Sequence, residues 1–130
     1  MNKCFFSVIA CFFTLGFLPR VEADPKELKR DLLQEMLASS QLVVIDVYAD
    51  WCGPCRRFEP VFKQASERFS KQYAFFKLNG DKERELARYF NVTAYPTTLY
   101  FKEGREVARH TGCMSMSELA LELDGLSKRI

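Results

Sequence analysis

Two cysteines separated by two residues lie in segment 51–55, which reads Trp-Cys-Gly-Pro-Cys and follows a run of β-forming residues. Thiols at this spacing can bind a metal ion, form a structural disulfide, or exchange electrons with another disulfide. A structural disulfide would stabilise little here, because the loop that it closes is tiny and removes little chain entropy. Haem attachment is excluded because residue 56 is Arg rather than His. Metal binding and thiol redox chemistry remain.

Redox chemistry would use the two sulfurs differently. We expect a helix to begin near Cys52, where the first-turn N–H groups and the helix dipole favour negative charge and so stabilise the thiolate. Cys55 lies one helical turn further on, against the apolar face that includes Phe58, and burial disfavours its charged form. The sequence therefore predicts an exposed, reactive Cys52 and a deeper Cys55.

A carboxylate interrupts the apolar run that precedes the cysteines. Asp46 lies in segment 42–48, whose length and composition predict a strand buried on both faces. Alternation along the strand places Asp46, Tyr48 and Asp50 on one face. A buried carboxylate costs free energy unless it has a partner or a task. Two interpretations stay open: a structural Asp with satisfied hydrogen bonds, or a carboxyl with a raised pKa that handles a proton near the sulfurs.

A proline marks the start of a later strand. Pro96 follows Tyr95 and leads into the strand-forming segment 97–101. Proline at a strand start is either an ordinary boundary residue or a cis-proline, which would form a tight corner beside the site. The sequence leaves both interpretations open.

The remaining elements must bring these residues together. Helix and strand patterns alternate in the order α-β-α-β-α-β-β-α, which predicts an α/β fold with a parallel section of sheet and an antiparallel edge. In such sheets ligand chemistry gathers at the carboxyl ends of the strands, where Cys52 falls. The predicted helices are a first one begun by the capping box 24–27, one at 52–69 kinked at Pro60, one at 83–90 and one after the capping box 115–118, and the predicted strands are 42–48, 73–78, 97–101 and 106–110.

Together these residues resemble the thioredoxin family and the thioredoxin-like domains of exported thiol-disulfide oxidoreductases, including the C-terminal domain of the membrane reductant DsbD. Segment 51–55 reads as the thioredoxin active-site signature, and the resemblance runs from about Leu42 to the C-terminus. The other positions that match the family are Asp46, Pro60, Lys77, Pro96, Gly104 and Gly112. The resemblance implies a thioredoxin fold: a mixed sheet of four to five strands with a terminal antiparallel hairpin and helices on both faces. The family's first strand would fall in residues 19–23.

The resemblance also implies a role for each residue. Cys52 would attack a substrate disulfide, Cys55 would resolve the mixed disulfide, and Asp46 would move a proton to and from Cys55. Lys77 would complete the catalytic set, and the substrate chain would lie along Trp51, Tyr95, Pro96 and Gly112. No cofactor is implied. The implied partners are disulfide-bonded proteins and a membrane or soluble dithiol electron donor, and we expect a monomer.

The dipeptide between the two cysteines bears on whether the protein reduces, isomerises or forms disulfides. The Gly-Pro dipeptide of segment 51–55 lacks the His that strongly oxidising relatives place between their cysteines. The resemblance therefore favours a reductant or an isomerase over an oxidant that forms disulfides. Nucleic acid is not an expected partner, because the net charge is only +2 and the chain has no basic stripe.

Residues 1–23 have the layout of a secretory signal peptide. Lys3 precedes an uncharged run at 4–18, and segment 21–23, Val-Glu-Ala, offers a cleavage site. We therefore expect an exported protein, in a bacterial periplasm, whose mature thioredoxin-like domain spans residues 24–130.

Two alternatives concern the fate of this leader. The run at 4–18 could stay as a membrane anchor, but its 15 residues fall short of the roughly 20 that a spanning helix needs. A lipid on Cys11 is the other alternative, although it would leave residues 12–18 as an exposed apolar tail.

Cleavage would leave an odd number of cysteines, because Cys113 joins the pair in segment 51–55. One thiol of the exported domain would then be free or would pair only transiently. We expect Cys113 to be a small buried hydrophobe. The rival hypothesis is a non-enzymatic zinc-binding protein, whose ligands would be Cys52, Cys55, His110 and Cys113.

The leader gives a first testable prediction. Expression of the full chain in an exporting bacterial host should yield a protein that begins at Asp24, because the uncharged run and the small residues before that position suit signal peptidase. Intact mass and N-terminal sequencing measure this outcome. Retention of Met1, or a lipid on Cys11, would show that the leader is not an ordinary signal peptide.

Overall fold

The structure, a computed structural model, describes residues 24–130, so the predicted signal peptide lies outside the described residues. The strands are β1 (Lys26–Glu27), β2 (Leu42–Tyr48), β3 (Tyr73–Asn79), β4 (Thr97–Lys102) and β5 (Arg105–Thr111). The helices are α1 (Leu33–Leu37), which follows a 3-10 turn at Arg30–Leu32, then α2 (Gly53–Phe69), α3 (Arg84–Tyr89) and α4 (Met116–Arg129). None of these helices between residues 24 and 130 is long and apolar enough to cross a membrane.

One mixed sheet organises the fold, with strand order β1-β3-β2-β4-β5. β3 runs parallel to both β1 and β2, whereas β4 pairs antiparallel with β2 and with β5. β2 is the central strand, and all of its residues except Tyr48 are buried. The predicted α/β class and the terminal hairpin are confirmed.

The side chains of β2 alternate between two cores. Val43, Ile45 and Val47 belong to the core beneath α1 and α3. Val44 belongs to the opposite core, which it forms with side chains of α2 and α4. Since strand side chains alternate, Asp46 follows Val44 onto the face that α2 covers. The apolar pattern of one strand thus directs a carboxyl group towards the helix that carries the cysteines.

The N-terminal segment differs from the prediction of a helix capped by residues 24–27. Lys26 and Glu27 form β1 instead, in parallel register with Phe76 and Lys77 of β3. The backbone N–H of Leu28 then donates to the carbonyl of Lys77 at 2.7 Å. The local helix signal is overridden because β3 has a free edge. Its backbone N–H and C=O groups would stay unpaired if residues 24–27 formed a helix, and pairing with β1 satisfies them. The described sheet therefore has five strands.

From residue 42 onwards, each strand or helix boundary that the sequence predicted agrees with the structure to within one residue, and only the end of α4 was left without a prediction. The capping box at the start of α4 is confirmed: the Ser115 side chain accepts from the Glu118 N–H, and the Glu118 carboxylate accepts from the Ser115 N–H. Pro60 lies inside α2, as predicted. These segments carry strong local signals, which explains the agreement.

The β4–β5 hairpin gives a prediction that compares two glycines. Gly104 has φ +77°, and a Cβ there would lie 3.0 Å from the Leu37 carbonyl oxygen. Gly104→Ala should lower the free energy of unfolding by roughly 1–2 kcal/mol, the penalty of left-handed backbone for an L residue. Gly125 lies within α4 with open space around it, so Gly125→Ala should raise that energy by roughly 0.5–1 kcal/mol. Chemical denaturation measures both, and equal effects of the two substitutions would contradict this reading of the turn.

Candidate redox site

The cysteine pair lies where the chain passes from β2 to α2. Cys52 is the N-cap of α2, and its Sγ accepts a hydrogen bond from the Cys55 backbone N–H at 3.3 Å. Pro54 falls in the first helical turn, where a residue without an N–H is tolerated. The two cysteines form a disulfide with their Cα atoms 5.3 Å apart. The helix N-terminus thus supplies an N–H group that would also stabilise a thiolate on Cys52.

The expectation that Cys52 is exposed and Cys55 buried is wrong for this disulfide form. Cys52 is 3% exposed and Cys55 is 4% exposed. Both pack with Ala49, and the side chains of Tyr48 and Tyr95 cover this cluster. The sulfurs differ in their surroundings rather than in exposure, because Cys55 lines a cavity that Cys52 does not.

That cavity, of about 350 Å³, connects Cys55 with Asp46. Asp46 is 1% exposed, and its Oδ1 has no hydrogen-bond partner among the described residues. Burial raises the pKa of Asp46 to about 7, the Lys77 ammonium lowers it in part, and the carboxylates of Glu59 and Glu27 add to the rise. Among the described residues, Asp46 Oδ1 therefore lacks the hydrogen bond that a structural Asp would make. The geometry favours the second interpretation, a carboxyl that changes protonation near neutral pH.

Lys77 lies opposite Asp46 in the β2–β3 register, but its ammonium group points elsewhere. Its Nζ is 2.6 Å from Glu59 Oε1 and 4.5 Å from the centroid of the Tyr48 ring. The Tyr48 hydroxyl in turn donates to Glu27 Oε1 at 2.8 Å. The predicted neighbour of Asp46 is thus present, but Glu59 is its ion-pair partner.

A rim borders the cysteines on the side of β4. The Tyr95–Pro96 peptide bond is cis, so the second interpretation of Pro96 is confirmed. The Gly112 N–H donates to the Pro96 carbonyl at 2.9 Å, and Gly112 has φ +104°, a conformation that favours glycine. The hydrogen bond connects the β5–α4 loop with the start of β4.

Trp51 extends the rim on the other side of the pair. Its side chain is 69% exposed, its Nε1 donates to Asp81 Oδ2 at 2.7 Å, and its ring meets the Tyr95 ring edge-on at a centroid distance of 6.0 Å. The Tyr95 ring covers Gly80, whose missing Cβ leaves room for it. The structure therefore brings together all four residues that the sequence assigned to substrate contact.

Cys113 is not the buried hydrophobe that we expected. It is an exposed free thiol, and its Sγ donates to the Pro54 carbonyl at 3.1 Å. The next residue, Met114, occupies the core instead. β5 ends at Thr111 and Gly112 has a positive φ, so strand alternation no longer decides which of the next side chains is buried.

The four proposed zinc ligands are not brought together. His110 faces α4, where its Nδ1 lies 3.0 Å from Glu122 Oε1. Between residues 24 and 130, no three Cys, His, Asp or Glu side chains are arranged to hold a metal ion. The zinc hypothesis therefore receives no support from the described part of the chain.

Three acidic side chains of the site were missed by sequence reasoning. Glu59 follows Cys55 by four residues on α2, so helical spacing could have placed it on the same face. Glu27 and Asp81 gave no comparable signal, because they reach the site from β1 and from the β3–α3 turn. Their position depends on tertiary contacts.

A cysteine pair at a helix N-terminus, at the carboxyl end of a central strand and beside a cis-proline, defines a disulfide oxidoreductase. The sequence profile of the family Thioredoxin matches residues 24–124. The chain belongs to the thioredoxin family.

Individual relatives agree with this assignment. The chain is 36% identical to thioredoxin 1 of Synechococcus elongatus over 91 residues, which cover 70% of this chain and 85% of the relative. It is 44% identical to a thioredoxin-like protein of Fusarium culmorum over 80 residues, 60% of this chain, but only 66% of that protein's length is matched. The crystal structure of Malassezia sympodialis thioredoxin superposes with a TM-score of 0.73 at 27% identity, over 78% of this chain and 90% of that one.

The raised pKa of Asp46 predicts a stability that depends on pH. The unfolded carboxyl ionises near 3.8, but the folded carboxyl keeps its proton up to about 7. Between these values the folded state binds more protons, so its stability falls as the pH rises from about 4 to about 7. Asp46→Ala should raise the free energy of unfolding at pH 8 by about 1 kcal/mol or more, and by less at pH 4.

Denaturant titrations of the oxidised protein at both pH values measure this difference. Asp31→Ala is the matched control, because it removes an exposed carboxyl and leaves the buried one in place. A gain of the same size at pH 4 and pH 8 would show that ionisation of Asp46 is not its source.

Proposed function

We propose that this protein is an exported protein-disulfide reductase or isomerase that acts through Cys52 and Cys55. The observation that carries the proposal is the difference between the surroundings of the two sulfurs. Cys52 Sγ caps α2 and accepts the N–H of Cys55, whereas Cys55 shares a cavity with the buried carboxyl of Asp46. These surroundings support a stabilised thiolate on Cys52 and a proton exchange at Cys55.

In the forward reaction the Cys52 thiolate attacks one sulfur of a substrate disulfide. That disulfide breaks, the distant substrate sulfur leaves with the electron pair, and a mixed disulfide joins Cys52 to the substrate. The Asp46 carboxylate then takes the thiol proton of Cys55, directly or through water in the cavity. The Cys55 thiolate attacks Cys52 Sγ and releases the second substrate thiolate. The substrate gains two electrons, and the Cys52–Cys55 disulfide forms.

The rim supports a protein substrate rather than an enclosed small molecule. Trp51 offers a large exposed apolar surface beside the sulfurs. The half-buried Tyr95 and Gly112 form the next part of the rim, and the hydrogen bond from the Gly112 N–H to the Pro96 carbonyl connects their segments. An extended chain can hydrogen-bond to exposed backbone while its side chains contact the aromatic rings. We assign substrate contact to these four residues and the return of electrons to an external dithiol protein.

The compartment and the direction of the reaction are part of the proposal. The layout of residues 1–23 supports export to a bacterial periplasm. Action as a monomer is a further part of the proposal. The Gly-Pro dipeptide between the cysteines supports reduction or isomerisation, since it adds no cation that would stabilise the reduced form strongly. The reduction potential of residues 24–130 tests the direction, and a strongly oxidising value would contradict it.

Trapping experiments test the assignment of the two cysteines. The background should carry Cys113→Ser, because that exposed thiol lies at the first turn of α2 and would react as well. Cys55→Ser should accumulate mixed disulfides with protein substrates, because no thiol remains to resolve them. Cys52→Ser should accumulate almost none.

Insulin reduction with dithiothreitol provides the activity measurement. The Cys113→Ser parent should be active, and both site variants should lose activity. If Cys52→Ser traps substrates as well as Cys55→Ser does, the division of roles between nucleophile and resolving thiol is wrong.

A further inference from the structure

A second acid stands at the cavity that joins Asp46 to Cys55. Glu59 lines this cavity one helical turn after Cys55, on the same face of α2. Its side chain is 58% exposed, so it lies at the solvent side, whereas Asp46 lies at the buried end. No step of the proposed disulfide exchange uses Glu59.

Several charged or titratable groups face Asp46, from every element packed against it. They are Lys77 of β3, Cys55, Arg56 and Glu59 of α2, Glu27 of β1, Tyr48 of β2 and Asp50 of the β2–α2 loop. Lys77 is the nearest cation in the register, since it is the residue of β3 that lies opposite Asp46. Its side chain is only 16% exposed.

The ammonium group of Lys77 forms an ion pair with Glu59. Nζ lies 2.6 Å from Glu59 Oε1, and the Tyr48 ring supports the same orientation from a centroid distance of 4.5 Å. The ion pairs of residues 24–130 do not include one between Lys77 and Asp46, whose Oδ1 has no partner. Two carboxylates thus compete for one cation, and the solvent-side carboxylate holds it.

We propose that Glu59 is a positioning residue: it holds the Lys77 ammonium at the mouth of the cavity, withholds this counter-ion from Asp46, and so keeps the Asp46 carboxyl able to bind a proton at neutral pH. The consequence for catalysis rests on the proposed function. When the Cys52–Cys55 disulfide is reduced by a donor dithiol, Cys55 leaves as a thiolate and takes the proton from Asp46. When a substrate is reduced, the Asp46 carboxylate accepts the proton of Cys55. A carboxyl that is part protonated near neutral pH can serve both directions.

Removal of the Glu59 charge should lower the pKa of Asp46, for two reasons. It deletes a nearby negative charge, and it frees Lys77 to turn towards Asp46. Both changes favour the ionised carboxyl and lower the pKa of Asp46. Replacement of Lys77 by Met should have the opposite effect, because the only cation opposite Asp46 in the described sheet register is lost.

The experiment follows the Asp46 carboxyl directly, by carbon NMR titration of the oxidised protein. Glu59→Gln should lower the titration midpoint of Asp46 by roughly 1 pH unit. Glu67→Gln is the matched control, an exposed glutamate two turns further along α2, and it should leave the midpoint at the wild-type value. An unchanged midpoint in Glu59→Gln would overturn the proposal.

A double-mutant cycle separates positioning from direct charge. If Glu59 acts through Lys77, the shift caused by Glu59→Gln should shrink to less than half in a Lys77→Met background. A shift of equal size in both backgrounds would mean that Glu59 acts on Asp46 by its own charge alone, and the positioning role would be wrong.

The pH profile of insulin reduction distinguishes this inference from the proposed function. If Asp46 handles the proton, the acidic limb of the Glu59→Gln profile should move to lower pH together with the NMR midpoint. If the midpoint moves and the profile does not, Glu59 positions Lys77 as proposed, but the proton role of Asp46 fails. If neither moves, the role of Glu59 fails and that of Asp46 stands.

Discussion

The structure depends on the pairing of β2 with a strand on each side, parallel β3 and antiparallel β4. This double pairing fixes the register of β2. Its successive side chains therefore point alternately into the two cores on either face of the sheet. It also fixes the point where the chain leaves the sheet and enters α2. The cysteines, the buried carboxyl and the cis-proline are all positioned by this one strand and its two neighbours.

The same constraint places a charged group where it is expensive. Asp46 occupies a position that the apolar pattern of β2 would fill with another Val or Ile, and burial opposes its ionisation. In this position the carboxyl shares a cavity with Cys55, and its pKa is raised to about 7. The difference between the two sulfurs therefore comes from their neighbours, the helix N-terminus for Cys52 and the carboxyl for Cys55, because both are equally buried.

Four loops meet at the site, and each is tied to another by a specific contact. Trp51 bonds to Asp81 across the β3–α3 turn, the Tyr95 ring covers Gly80, and Gly112 bonds to Pro96. These contacts connect the loops of the rim to one another. Next to these loops, the ion pair of Glu59 with Lys77 lies at the cavity that Asp46 and Cys55 share.

The sequence by itself determined the elements from residue 42 onwards, the cysteine pair at a helix start and the carboxyl directed towards it. Local signals sufficed there, because strand alternation, helical spacing and capping act between near neighbours. Only the tertiary structure decided that residues 26–27 form a strand, that both cysteines are buried, that Cys113 is exposed and that Lys77 pairs with Glu59. Each of these depends on contacts with parts of the chain that are distant in sequence. Residues 26–27 pair with the free edge of β3, Tyr95 covers the disulfide, and Lys77 has two carboxylates within reach. Met114 rather than its neighbour Cys113 fills a core position formed by other elements. Local pattern cannot rank such competitors, because their energies are set by burial and distance in the folded molecule.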